Sequence, residues 1–243
     1  MRLAPLSGLT ASLLDFSGSS DTAKVQVGTM MNAAPTDGLD TGTNVPNWGQ
    51  CELLYVRNAS TAILPGTVVV LDKDFNATAV PSTAGLGKSV YVTLTNFALG
   101  STTVQYGWVM VAGVAPILTS VAAPTGLVYI GTAGVITPTQ ANGKQILNAA
   151  CTIAAASAFT RTIQTQNGSR FVKTSRVNGI FYGVTVSGTG VPASSEVTAI
   201  DPGGNGFTMS ELATATGSVT GTFTPTGYGI VQFNRPFAQG QIL

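Results

Sequence analysis

The run Val219-Thr220-Gly221-Thr222-Phe223-Thr224 is followed, after Pro225-Thr226-Gly227, by Tyr228-Gly229-Ile230-Val231-Gln232-Phe233-Asn234-Arg235-Pro236. Successive side chains of an extended strand point to opposite faces, so the first run reads as a strand with small polar residues on one face and apolar residues on the other. The second run is also strand-like, but bulkier and more apolar. The first continues a pattern begun by Gly183-Val184-Thr185-Val186-Ser187-Gly188, Val197-Thr198-Ala199-Ile200-Asp201 and Phe207-Thr208-Met209-Ser210, with a strong turn at Asp201-Pro202-Gly203-Gly204-Asn205-Gly206. The second shares its character with Glu52-Leu53-Leu54-Tyr55-Val56-Arg57 and Thr67-Val68-Val69-Val70-Leu71, far to the N-terminal side. A small antiparallel β module over residues 162–224 is therefore expected as an insertion into a larger β domain, residues 48–161 plus 225–243. The ends of such an insertion should lie close together.

Working outward, the pair around Pro65-Gly66 reads as two strands joined by a turn, and further strands are expected at 90–95, 103–111, 127–130 and 135–137. Residues 145–161 are ambiguous, since their alanines suit a helix while Thr152, Ile153 and the run Thr160–Ile163 suit strands; they are read as strand. Short β-rich runs punctuated by Gly and Pro, with almost no helical periodicity, define an all-β chain whose main domain is a barrel or sandwich. Residues 1–47 carry no sustained period of either kind and read as an extended N-terminal arm, ordered only when a partner covers it. Its one dense apolar set, Leu3, Leu6, Leu9, Leu13, Leu14 and Phe16, supplies the expected anchors; a short amphipathic helix over residues 10–16 is the rival reading.

Charged residues make up 9% of the 243 residues and the formal net charge is +1, whereas an ordinary soluble domain carries about 25% charge. Little repulsion keeps copies apart, so a homo-oligomer, and specifically a trimer, is expected. No stretch approaches the roughly 20 apolar residues of a spanning helix. With 7% aromatic residues the girdles of a membrane β-barrel are poorly supplied, so no membrane partner is expected. The N-terminus lacks the unbroken apolar run and cleavage site of a signal peptide, because Pro5, Ser7 and Gly8 interrupt it. Cys51 and Cys151 read as free, buried thiols made in a reducing cytoplasm.

There is no histidine, which removes His-based triads, His-ligated metals and the commonest general base together. Neither enzyme chemistry, a cofactor nor a metal is expected. Glu196, Asp201 and Glu211 could in principle serve glycoside hydrolysis, but each has a blander account as a turn or solvated strand residue. Asp72-Lys73-Asp74 reads as a charged loop, and the glycines from Gly183 to Gly190 lack the lysine and helix of a phosphate loop. Arg161, Arg170, Lys173 and Arg176 read as a solvated rim, with an acidic protein surface as the second choice and nucleic acid a distant third. Trp48, Trp108 and Tyr182 are the aromatics that a carbohydrate-binding surface would use, against the alternative that they fill cores.

The run Val56-Arg57-Asn58-Ala59, then Leu64-Pro65-Gly66-Thr67-Val68-Val69, then Tyr129-Ile130-Gly131-Thr132-Ala133-Gly134-Val135 resembles the small β-barrel decoration (cement) proteins of tailed-bacteriophage heads. The resemblance covers about residues 48–151 and 228–236, and the stretches Val186–Pro192, Val197–Ile200 and Ala213–Gly217 look like a β repeat of virion proteins. It implies attachment to the outside of a capsid, trimerisation and no catalysis. The partner would be the major capsid protein, with Leu3, Leu6, Leu9, Leu13, Leu14 and Phe16 as capsid contacts. The place of action would be the virion exterior, after synthesis in the bacterial cytoplasm. A tail or head-fibre component and a carbohydrate-binding surface module are the alternatives, and a glycan contact is left open to the inserted module.

Overall fold

A computed structural model describes residues 3–5, 18–35, 49–59, 62–97, 103–120, 126–153, 158–201 and 203–240. Every regular element among them is a β-strand, as the composition predicts, and the strands fall into one curled sheet and one closed barrel. The chain divides into two compact units: a sheet unit over described residues 18–34, 49–153 and 227–240, and a barrel unit over 158–226.

In the sheet, β1 (Leu3–Pro5), β2 (Met30–Pro35), β3 (Cys51–Asn58) and β8 (Gln105–Leu118) lead to a central β18 (Tyr228–Gly240). Beyond it lie β11 (Gln145–Ile153), β9 (Gly126–Ile130) and β10 (Ile136–Thr137). Four short strands branch from this path: β4 (Val68–Leu71), β5 (Ala77–Ala79), β6 (Leu86–Ser89) and β7 (Tyr91–Thr93). The run at 52–57 has both faces covered, because Leu53 and Tyr55 are buried on one side and Leu54 and Val56 on the other. Leu54, Val56, Ile63, Val69, Phe97, Val109 and Val111 form one cluster of this core.

The other face is capped by residues read from sequence as arm. Met30–Ala33 pairs in antiparallel register with Leu54–Cys51, and Met31 and Ala33 are buried. Upstream, Ser20 exchanges backbone hydrogen bonds with Tyr106 (3.0 and 2.8 Å), Lys24 N–H donates to the Tyr55 hydroxyl (3.1 Å), and Gly28 N–H donates to the Tyr55 carbonyl (2.8 Å). Residues 18–35 are thus a strap and a strand paired to the sheet, unlike the arm without a core read over 1–47, of which residues 6–17 and 36–47 lie outside the described residues. The strand is held by backbone pairing and by the buried Met31 and Ala33, a signal too weak to register as periodicity.

The barrel closes in the order β12 (Phe159–Thr165), β13 (Phe171–Thr174), β16 (Gly206–Met209), β15 (Ser195–Ile200), β14 (Thr185–Ser187), β17 (Gly217–Thr224). Its interior takes alternate residues, with Phe159 stacked on Phe223 (centroids 5.3 Å) and Phe207 edge-on to Phe223 (5.4 Å). Residues 145–161 therefore split between β11 and β12. The junction expected between residues 161 and 162 falls inside β12, because Phe159 belongs to the barrel core.

Two registers define the chain path. The sheet unit ends its outgoing strand at the pair Ile153↔Ile230 of neighbouring β11 and β18, and the barrel begins and ends at the pair Phe159↔Phe223 of neighbouring β12 and β17. Each unit thus takes the chain in and gives it back between adjacent antiparallel strands.

Candidate interaction surfaces

Of the anchors expected to touch a capsid, Leu3 opens β1, and Leu6, Leu9, Leu13, Leu14 and Phe16 lie outside the described residues, as does Trp48. Trp108 is 2% exposed and tilts against Tyr55 at 4.9 Å, so it is a core residue and not a sugar platform. Tyr182 is half-buried.

The carboxylates have local structural partners or none of catalytic kind. Asp201 Oδ2 accepts from Asn205 N–H (3.0 Å) and the Asp201 carbonyl from Gly204 N–H (2.8 Å), which fixes the turn before β16. Glu196 stands exposed on β15 opposite Thr185, and Glu211 is exposed in the loop after β16. Asp72 caps its own loop: its carboxylate accepts from Asn76 Nδ2 (2.8 Å), Asn76 N–H (2.9 Å) and Asp74 N–H (2.8 Å), and these bonds, the Asn76 side chain first, hold it below the usual carboxylate range. Among the described residues no group of three or more Cys, Asp or Glu side chains converges as a metal site would need. Cys51 and Cys151 are both buried thiols outside any disulfide, and burial pushes the Cys51 thiol up to about 12.

Two surfaces stand out instead. On the sheet unit, Leu147 and Phe237 are cross-strand partners, 38% and 37% exposed, and Leu127 on β9 is 53% exposed. On the barrel, the outward side of β13 presents Phe171, 37% exposed, and Lys173, with Arg170 just before the strand and Arg176 just after it, all three cations exposed. Phe171 lies opposite Thr208 and Lys173 opposite both Gly206 and Gln164. The Phe171 ring reaches over Gly206: a Cβ built on that glycine would stand 2.9 Å from Phe171 Cζ and would collide with the Val172 carbonyl. Only glycine fits under the ring.

Arg161, grouped with these cations by sequence, is engaged differently. Its Nη2 donates to the Asn178 carbonyl (2.7 Å) and its guanidinium sits 5.6 Å from the centre of the Phe159 ring, so it serves the barrel's own packing. The alternation Phe171-Val172-Lys173-Thr174 could have revealed the aromatic–cation face from sequence, since it places Phe171 and Lys173 on one side of a strand. The glycine beneath the ring emerges only from the register. Comparison with protein-family models, curated proteins and solved structures gives no match.

Proposed function

We propose that this chain is a non-enzymatic virion structural protein, a capsid decoration protein that attaches to the outer surface of a phage head and stabilises it. The observation that carries this reading is the hairpin-like insertion: a self-contained sheet unit gives up its chain between β11 and β18, takes it back at the next pair, and loses no central strand. Such a layout suits a platform that anchors and a separate module that is displayed. The sheet unit supplies material for anchoring, since the Leu147–Phe237 pair and Leu127 leave large apolar side chains in water, and a chain with 9% charged residues has little to oppose close association. The resemblance of residues 48–151 and 228–236 to head decoration proteins points the same way.

The test is shell stability. Calorimetry of shells assembled from the cognate coat protein should show a higher disruption temperature when this chain is added to saturation. An unchanged disruption temperature at saturating protein would overturn the proposal.

A further inference from the structure

We propose that Phe171, Lys173 and Arg170 form a recognition surface on the barrel for an acidic carbohydrate chain. Phe171 covers Gly206 with its Cζ edge, and the side chain as a whole is 37% exposed. Covering a glycine accounts for an aromatic at this position. It does not account for the cations around it.

Lys173 is two residues along the same strand face, Arg170 precedes the ring and Arg176 follows the strand. Ion pairs among the described residues include Arg57–Asp74, Lys73–Asp74 and Arg235–Glu52, and among these residues no carboxylate forms an ion pair with any of the three cations. Asp201 is committed to its own turn, Glu196 is on β15, and Glu211 lies in the loop whose flanking Met209 and Ala213 amides donate to the Arg170 and Ser169 carbonyls, exposed and outside the ion pairs named above. Around the ring and the ammonium stand Gln164 and Thr208, side chains that both donate and accept hydrogen bonds.

A partly exposed aromatic ring, cations beside it and two-way hydrogen-bonding groups at the rim match a sugar ring that packs its C–H face on the aromatic, carries a carboxylate or phosphate, and presents hydroxyls. Nucleic acid fits less well. It carries a charge about every 1.7 Å along the duplex, and its binding rests on many phosphate contacts. Residues 158–226 carry four cations, Arg161, Arg170, Lys173 and Arg176, against three carboxylates, Glu196, Asp201 and Glu211, a sparse set that suits a chain with one anionic group per repeat. This inference stands apart from shell attachment by the sheet unit, so either can fail without the other.

The experiment follows backbone amide shifts of the full chain titrated with hyaluronate, with neutral dextran and with single-stranded oligothymidylate. Hyaluronate should move the amides of residues 170–174 and 206–208, dextran should not, and the oligonucleotide should bind more weakly. Lys173→Gln should weaken hyaluronate binding by about tenfold at low salt and flatten its salt dependence. Phe171→Leu keeps an apolar cover on Gly206 but removes the stacking plane, and should weaken binding roughly fivefold. Thermal midpoints separate binding loss from misfolding; should the Phe171 variant unfold, Lys173→Gln decides. No localised shift with hyaluronate, equal shifts with dextran, tighter binding of the oligonucleotide, or wild-type affinity in Lys173→Gln would each overturn the proposal.

Discussion

Gly107 lies on β8 beneath Thr95, and the two are matched: a Cβ at Gly107 would stand 2.6 Å from Thr95 Cβ, while Thr95 Oγ1 accepts from Trp108 N–H at 2.7 Å. Gly107→Ala must either push Thr95 off that hydrogen bond or bend β8. We expect it to cost about 1–3 kcal/mol in a denaturant titration, whereas Gly49→Ala, where nothing lies within 4 Å, should stay within about 0.5 kcal/mol of the parent. Cys51 offers a pH test. Its folded-state thiol is raised by burial from 9.0 to about 12, so above pH 9 the unfolded chain loses a proton that the folded chain keeps. Stability contributed by this group is therefore full below pH 9 and declines as pH rises from 9 toward 12. Cys51→Ala should show a shallower alkaline decline in thermal midpoint, and iodoacetamide at pH 8 should label Cys51 only after unfolding. The buried, unbridged state of both cysteines was legible in their number and spacing, but the burial of Trp108 was not. An aromatic in an alternating run reads equally as core or surface until the register shows what covers it.

Among the bonds that hold the strap from residue 18 to 29 is one to the Tyr55 hydroxyl, which accepts from Lys24 N–H at 3.1 Å. Tyr55→Phe keeps the ring stacked on Tyr106 and tilted against Trp108 but removes that acceptor. We expect a loss of about 1 kcal/mol and, more tellingly, faster hydrogen exchange at Lys24 and Gly28 than at the amides of β3. Strands built on β-branched residues were readable, β4 at Val68–Leu71 as a continuous apolar run, buried through Val70, and β17 at Gly217–Thr224 from alternation that ends in the buried Gly221 and Phe223. β2 was not, because Met30-Met31-Asn32-Ala33-Ala34 is held by backbone pairing to β3 and buries only small or flexible side chains on one face. The same blindness moved the barrel's first strand: Phe159 and Ile163 are both interior residues of β12, yet the alanines before them blur the pattern at the point where the chain changes units. The aromatic–cation face on β13 needed a register that sequence does not carry, the pairing of Lys173 with Gly206 that leaves room for the Phe171 ring.

For the whole molecule, the sparse charge and the exposed Leu147, Phe237 and Leu127 side chains of the sheet unit lead to two expectations. Sedimentation equilibrium at micromolar concentration should give a homotrimer; a monodisperse monomer would contradict the role assigned to low charge. Replacing residues 156–226 with an Asn-Gly turn should leave the sheet unit folded, since β11 and β18 are already antiparallel neighbours at Ile153 and Ile230. The most direct test of the account combines that deletion with the proposed partner: the full chain and the deleted chain are sedimented separately with shells assembled from the cognate coat protein, and the bound fraction is measured against concentration. The account predicts that both pellet with the shells, saturably and with similar affinity. A full chain that stays in the supernatant with intact shells would contradict capsid attachment, and binding by the full chain alone would place the attachment surface in the barrel rather than the sheet.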